Sequence, residues 1–278
     1  MRIDDYEDGV EVNSDRVLVW GYDSPNVRAA RMRQVIARLV VAFIVASVIA
    51  GVVITVALGL TGVLPIEVTA LAGVIIGLLF TVIATVVGPR RLGSRLPWVE
   101  PEERDRKRID TLLSGLGFQL GISVSSVAVV AYPMVNGAVL ELGRKEPVVV
   151  ITTGALRELE TIELEALLAR ELGELRLGLV GLNATVAYWD KVFHRAGRRL
   201  SDWQRAEAVL LDRLGVSVTR YPPAMAAVLE KAKSSRSITA TSLPAWLWLC
   251  PVGVADLDAD LALREQLLLD EIWTIGAS

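Results

Sequence analysis

The sequence predicts an α+β protein built behind a two-helix membrane hairpin, on three observations. Two long uncharged apolar stretches lie near the N-terminus, at 39–64 and 68–88. A β-branched region with turn signals follows between Val124 and Thr152, and the rest of the chain carries helical periodicity. A small sheet beside a larger helical body is the α+β arrangement.

The composition agrees with a hairpin. Of 278 residues, 53% are hydrophobic, more than the roughly 45–50% of an average soluble domain. The excess sits in the two stretches. Leu39–Leu64 has 26 residues without a charge, and after Pro65-Ile66-Glu67 a second uncharged run extends from Val68 to Gly88. At about 1.5 Å per residue each crosses a hydrocarbon core of about 30 Å. The first run is too long and too far from Met1 for a signal peptide.

The turn between the runs is so short that they must be antiparallel. Arg28, Arg31, Arg33 and Arg38 precede the first, Arg90, Arg91 and Arg95 follow the second, and the turn carries no Lys or Arg. The positive-inside rule then places both termini in the cytoplasm, as in a multi-pass protein of an inner (plasma) membrane. Gly51, Gly59, Gly73 and Gly77 allow close helix packing. No ionisable group lies in mid-span, which argues against a proton or ion pathway.

Three segments follow from this: an acidic stretch at 1–27, the hairpin at 28–96 and a cytoplasmic domain at 97–278. In the domain, Ile109, Leu112, Leu113, Leu116 and Leu120 share one face of a helix at about 108–120, and Gly115-Leu116-Gly117 reads as a local break in it. Strands are expected at 124–132, 138–142 and 147–152 around the Asn136-Gly137 turn. A helix with an acidic first turn starts at Thr161 and runs to about Leu179. Others are expected at about 183–196, 202–214, 222–233 and 257–272.

Several function classes are excluded. With 29 basic against 32 acidic residues, a net charge of −3, there is no basic field for nucleic acid. The single cysteine, Cys250, rules out an internal disulfide and a cysteine-rich zinc site. The single histidine, His194, rules out any site that needs two.

The order of the motifs resembles the HtpX-like membrane zinc metallopeptidases, relatives of the CAAX prenyl endopeptidases. Tyr132-Pro133-Met134-Val135-Asn136-Gly137-Ala138 stands where that family has its Asn-Ala edge element. Val148-Val149-Val150-Ile151-Thr152-Thr153-Gly154-Ala155-Leu156 stands at its strand ending in Thr-Thr-Gly-Leu. Glu163-Leu164-Glu165 then leads to Ala169-Arg170-Glu171-Leu172-Gly173-Glu174, at the place of Ala-His-Glu-Leu-Gly-His. The resemblance runs from Arg28 onward and implies a hairpin, a mainly helical metallopeptidase-like domain and membrane-protein quality control.

The family's chemistry is not carried with its order. An H-E-x-x-H helix binds Zn²⁺ through two imidazoles on one face, and its Glu activates the metal-bound water. Here the ligand positions hold Arg170 and Glu174, and only Glu171 keeps the family residue. A guanidinium is a permanent cation and no zinc ligand. An i,i+4 ion pair between Arg170 and Glu174 is expected in the metal's place. The third ligand belongs to a Glu-x-x-Ala-Asp pattern; aligning Ala206-Glu207 on its end puts Trp203 at the ligand position, with Asp202 one residue off.

The expected function is therefore a non-catalytic metallopeptidase homologue, a pseudoprotease with no cofactor and no metal. It would bind a membrane protein partner or a second copy of itself at the lipid bilayer, as a scaffold or regulatory subunit. One alternative is a hydrolase with a reorganised acidic metal site at Glu171, Glu174, Asp202 and Glu207, opposed by the nearby Arg170 and Arg205. Another is an accessory subunit of a membrane transporter. Trp246 and Trp248 are compatible with core, interface or membrane contact, and Arg198 and Arg199 with a small basic contact surface.

Overall fold

The computed structural model describes residues 41, 44, 45, 47–57, 59, 65–122, 126–140, 147–192, 197–235, 243, 247–250 and 261–269. Within its helices the side chains of 66, 69, 80, 81, 83–86, 88–90, 186, 189–192 and 197–207 lie outside the description. The acidic segment at 1–27 also lies outside it.

Apolar residues with no polar stripe form the first two helices, α1 (47–57) and α2 (Ile66–Arg90). Small residues bring them together. A Cβ on Gly77 would stand 2.6 Å from the Ser47 carbonyl oxygen and 2.8 Å from the Gly51 nitrogen, and one on Gly73 would strike Thr55 and Gly51. The expected close packing is thus spent inside the hairpin, except at Gly59, whose Cβ would meet nothing within 4 Å. Among the described residues, no helix is long and apolar enough to cross a membrane. The helix α2 has 25 residues.

After a single 3-10 turn at Leu92–Arg95 the chain enters β1 (Trp98–Val99) and then α3 (Glu103–Leu120). The helix runs unbroken through Gly115-Leu116-Gly117, which corrects the expected break. Leu116 is buried on the same stripe as Ile109, Leu113 and Leu120, and this packing outweighs the helix cost of two glycines. The helix ends at Leu120, and the next residue, Gly121, takes φ 65° while its N–H closes the last turn.

The expected strands are present as β2 (Val127–Val130), β3 (Gly137–Leu140) and β4 (Val148–Thr152), and the end of the second expected strand at 141–142 lies outside the described residues. The sheet order is β1-β2-β4-β3, with β2 parallel to β4 and the other two pairs antiparallel. Every residue of β3 and β4 is buried, as continuous apolar runs covered on both faces should be.

A short helix, α4 (Thr153–Glu158), stands where only the end of a strand was expected. Its cap is Thr152, whose Oγ1 accepts the Ala155 N–H at 3.2 Å. Then come α5 (Thr161–Arg176), α6 (Val180–Val192), α7 (Gly197–Thr219), α8 (Pro222–Ser234) and the helical residues 261–269 (α9). At its start α5 carries a capping box, with the Glu163 carboxylate accepting the Glu160 N–H at 2.7 Å and the Lys231 ammonium at 2.6 Å.

The larger core lies between the sheet and α3, α5 and α8, around Leu164, Leu167, Leu168, Leu172, Met225 and Leu229. A smaller one joins Leu92, Leu96, Val130, Ala184, Ala187 and Trp248. The second core places α6 against the point where α2 leaves for the sheet.

Candidate functional site: a buried charge network between three helices

The site is built on α5, which is buried on all sides from Ala166 to Glu174. Helix α7 crosses it at very short range because two glycines remove side chains at the contact. A Cβ on Gly215 would lie 3.0 Å from the Arg170 nitrogen, and one on Gly173 would lie 2.8 Å from Leu214 Cδ2. Less than one turn before Gly215 on α7, Asp212 points back at Arg170.

Arg170 is 5% exposed and lies among acids. Its Nε donates to Asp212 Oδ1 at 3.0 Å, and its Nη1 donates to Glu171 Oε1 at 2.6 Å. Asp212, 1% exposed, also receives the fork of Arg264 from α9. Arg264 Nε donates to Oδ2 at 2.7 Å and Nη2 to Oδ1 at 2.8 Å, a two-pronged pair. Glu174 accepts from the Asn183 amide of α6 at 2.9 Å. Two guanidiniums thus face three carboxylates inside the protein.

The expected i,i+4 pairing is realised differently. The hydrogen bonds of Arg170 go to its neighbour Glu171 and across to Asp212, while Glu174 acts on it through charge. The Arg170 guanidinium bends toward α7 because a buried cation is held best where hydrogen bonds and charge coincide. Burial works against its charge, yet Glu171, Asp212 and Glu174 outweigh it and raise its pKa further. Arg170 stays protonated.

Glu171 is in the opposite position. It is 1% exposed, and its Oε2 has no hydrogen-bond partner among the described residues. Burial raises its pKa above the ordinary 4.5, against the pull of Arg170. The folded protein therefore keeps this proton at pH values where the unfolded chain has released it. It follows that Glu171 favours folding least once the pH exceeds its raised value. Relative to the native sequence, Glu171→Gln is expected to gain melting temperature steadily as pH rises from 4.5 toward neutral. Thermal unfolding of both proteins across that range checks this, and parallel curves would contradict it.

The sheet supplies the other wall. Gly137 begins β3 where a Cβ would stand 3.4 Å from Glu171 Oε1 and 3.0 Å from Leu167 Cδ1. Beside it Asn136 is held by Thr152, whose Oγ1 accepts the Asn136 N–H at 3.0 Å and donates to the Met134 carbonyl at 2.6 Å. Thr153 Oγ1 donates to the Tyr132 carbonyl at 2.8 Å, and the Gly154 N–H donates to the same oxygen at 2.9 Å. The Thr-Thr-Gly motif thereby pins the loop that presents Asn136.

The remaining sequence candidates fall outside this network or outside the description. Trp203 lies on α7 nine residues before Asp212, about 13 Å along the axis, so its position is not beside Arg170. The side chains of Arg198, Arg199, Asp202, Trp203 and Glu207 lie outside the described residues, as do His194 and Trp246. Trp248 is a core residue, 2% exposed and edge-to-face with Tyr132 at 5.9 Å, not a surface one. Cys250 is likewise buried.

Sequence reasoning missed Asp212, Arg264 and Asn183. A signal existed for the first two. Asp212 interrupts the buried stripe of Val209, Leu211 and Val216, and Arg264 stands three residues after Leu261 and four before Leu268. A charge on the apolar face of a helix needs a buried partner.

The two positions that the resemblance gives to zinc-binding imidazoles hold the Arg170 guanidinium, which is no zinc ligand, and the Glu174 carboxylate, which accepts the Asn183 amide. Among the described residues no three His, Cys, Asp or Glu side chains converge as a metal-ligand set. No protein-family model matches the chain and no curated protein matches it.

Proposed function

We propose that this protein is a non-catalytic, HtpX-like metallopeptidase homologue held in a membrane by its N-terminal hairpin, where it acts as a scaffold or regulatory subunit. The observation that carries this reading is the Arg170 guanidinium, buried and bonded to Glu171 and Asp212 on the helix where the resemblance puts the metal. A cation fixed by two carboxylates leaves Glu171 no metal-bound water to activate. The α5–α7 crossing brings Asp212 to Arg170 and so supports a second alignment of the third ligand. With Asp212 as the Asp of Glu-x-x-Ala-Asp, the ligand position falls on Ala208, which has no ligand atom.

The membrane reading draws on surface chemistry. Of the twenty-two large hydrophobic residues exposed among those described, sixteen fall between Val41 and Val82. A surface so rich in exposed Val, Ile and Leu needs an apolar medium or a partner. In this reading a buried charge network rather than a catalytic centre distinguishes the domain that follows, and assembly is its remaining use.

Two results are expected. Membranes containing the protein, washed in alkaline carbonate, retain it in the pellet; its release would contradict the hairpin. Solubilised in mild detergent, it runs as a defined assembly larger than one 30.1 kDa chain in its micelle. A lone monomer under those conditions would contradict the scaffold reading.

A further inference from the structure

The chain leaves the hairpin carrying charge of one sign. From Val68 to Val99 it has no Asp or Glu, and its only charges are Arg90, Arg91 and Arg95; the next acid is Glu100. In a protein of net charge −3 this is a local basic surface. Arg91 stands three residues past Gly88, where the uncharged run ends. At about 1.5 Å per residue that is about 4–5 Å beyond the apolar part of α2. The headgroup layer on each side of a bilayer is about 5–7 Å deep.

The fold holds this surface rigid. Leu92 and Leu96 are 8% and 5% exposed and belong to the smaller core, so the 3-10 turn at Leu92–Arg95 is anchored to the domain. The Ser94 N–H and Oγ both donate to the Arg91 carbonyl, at 3.1 Å and 2.8 Å, and the Leu96 N–H donates to the Gly93 carbonyl at 3.2 Å. Farther on, the Ala131 N–H donates to the Pro97 carbonyl at 2.8 Å, and Trp98 and Val99 pair with β2. The turn buries its leucine and leaves Arg91, Ser94 and Arg95 exposed, and Trp98, three residues on, is 39% exposed. Among the described residues neither Arg91 nor Arg95 is in a salt bridge.

Two guanidiniums without a carboxylate, at headgroup depth and followed by an exposed indole, match one kind of ligand. A guanidinium takes phosphate oxygens with two parallel donors. An indole favours the boundary between membrane and water. Anionic lipids attract arginines placed just outside a span.

We infer that Arg91, Arg95 and Trp98 form a site for the headgroup of an anionic phospholipid, in the leaflet from which α2 emerges. This rests on the reading that the hairpin lies in a membrane. Leu92 and Leu96 make the site more than a charged flank of a span. They tie it to the core that holds Val130 of β2 and Ala184 of α6, so a bound headgroup sets how the domain sits on the bilayer.

Native mass spectrometry of the full-length protein in neutral detergent tests this, with phosphatidylglycerol and phosphatidylcholine of the same acyl chains supplied together. The native sequence is expected to retain phosphatidylglycerol preferentially. Arg91→Gln with Arg95→Gln is expected to cut that preference roughly fivefold for each arginine. Both side chains are exposed, so the variant should keep the native melting temperature. Equal retention of the two lipids by the native protein overturns the inference, and so does a preference that survives intact in the double variant. Release of the phosphatidylglycerol by equimolar inorganic phosphate overturns it too, because the site would then be one for a free anion. Flotation with phosphatidylcholine vesicles reads the hairpin separately. A native protein that floats but lacks the preference contradicts the site alone; one that does not float contradicts the hairpin and, with it, the inference.

Discussion

Asp212→Ala is expected to destabilise the protein by about 3–5 kcal/mol, because it leaves two buried guanidiniums without their shared acceptor. Arg170 and Arg264 are 5% and 2% exposed, so neither can turn to water without moving a helix. In a domain of this size the loss corresponds to a fall in melting temperature of about 10 °C. Asp212→Asn keeps one oxygen acceptor and should fall less. A thermal melt of both variants in detergent checks the order. An Asp212→Ala melt within a degree or two of the native value would mean that the buried pair carries little of the fold.

Gly154→Ala is expected to be at least as damaging, through the backbone rather than through charge. A Cβ there would strike the main-chain oxygens of Pro133 and Met134. That backbone cannot recede, since the Gly154 N–H and Thr153 Oγ1 both hold the Tyr132 carbonyl. Overpacking of a well-filled core typically costs about 1–3 kcal/mol, and a clash with fixed main chain exceeds that range. The displaced loop carries Asn136, whose amide holds the Cys250 N–H and carbonyl, so the variant should also lose protection of Cys250. Limited proteolysis and thiol labelling of the purified variant would read both effects. A protein as resistant as the native one would show that the loop has room to move.

Much of this architecture was legible because local chemistry and burial agree. The β-branched runs became β2 and β4, and the acidic start at Thr161 became α5. Elements without periodicity were not legible. Trp98–Val99 is too short to alternate, and its pairing with Val129 and Val130 is fixed only by the turn before it. The helix α4 was hidden because Thr152 serves at once as the last strand residue and the cap of the next helix.

The site divides along the same line. Arg170, Glu171 and Glu174 lie within one helical turn or so, and a spacing argument finds them. Their partners do not. Asp212 is 42 residues from Arg170, and Arg264 is 52 from Asp212. Only the crossing of α5 and α7, permitted by Gly173 and Gly215, brings the first pair together. A motif alignment that put Trp203 at the ligand position looked two to three turns before Asp212. The two buried charges on apolar helix faces were the better guide.

We propose that a guanidinium network occupies the place where the resemblance puts a metal, so the decisive measurement is the metal content of the purified protein after exposure to zinc. Elemental analysis, as moles of metal per mole of chain, is made on the native sequence and on Glu171→Gln. Arg170, held between Glu171 and Asp212, predicts a ratio near zero in both. A ratio near one in the native protein, lowered by Glu171→Gln, would contradict the account and turn the acidic residues of α5 into a working metal centre.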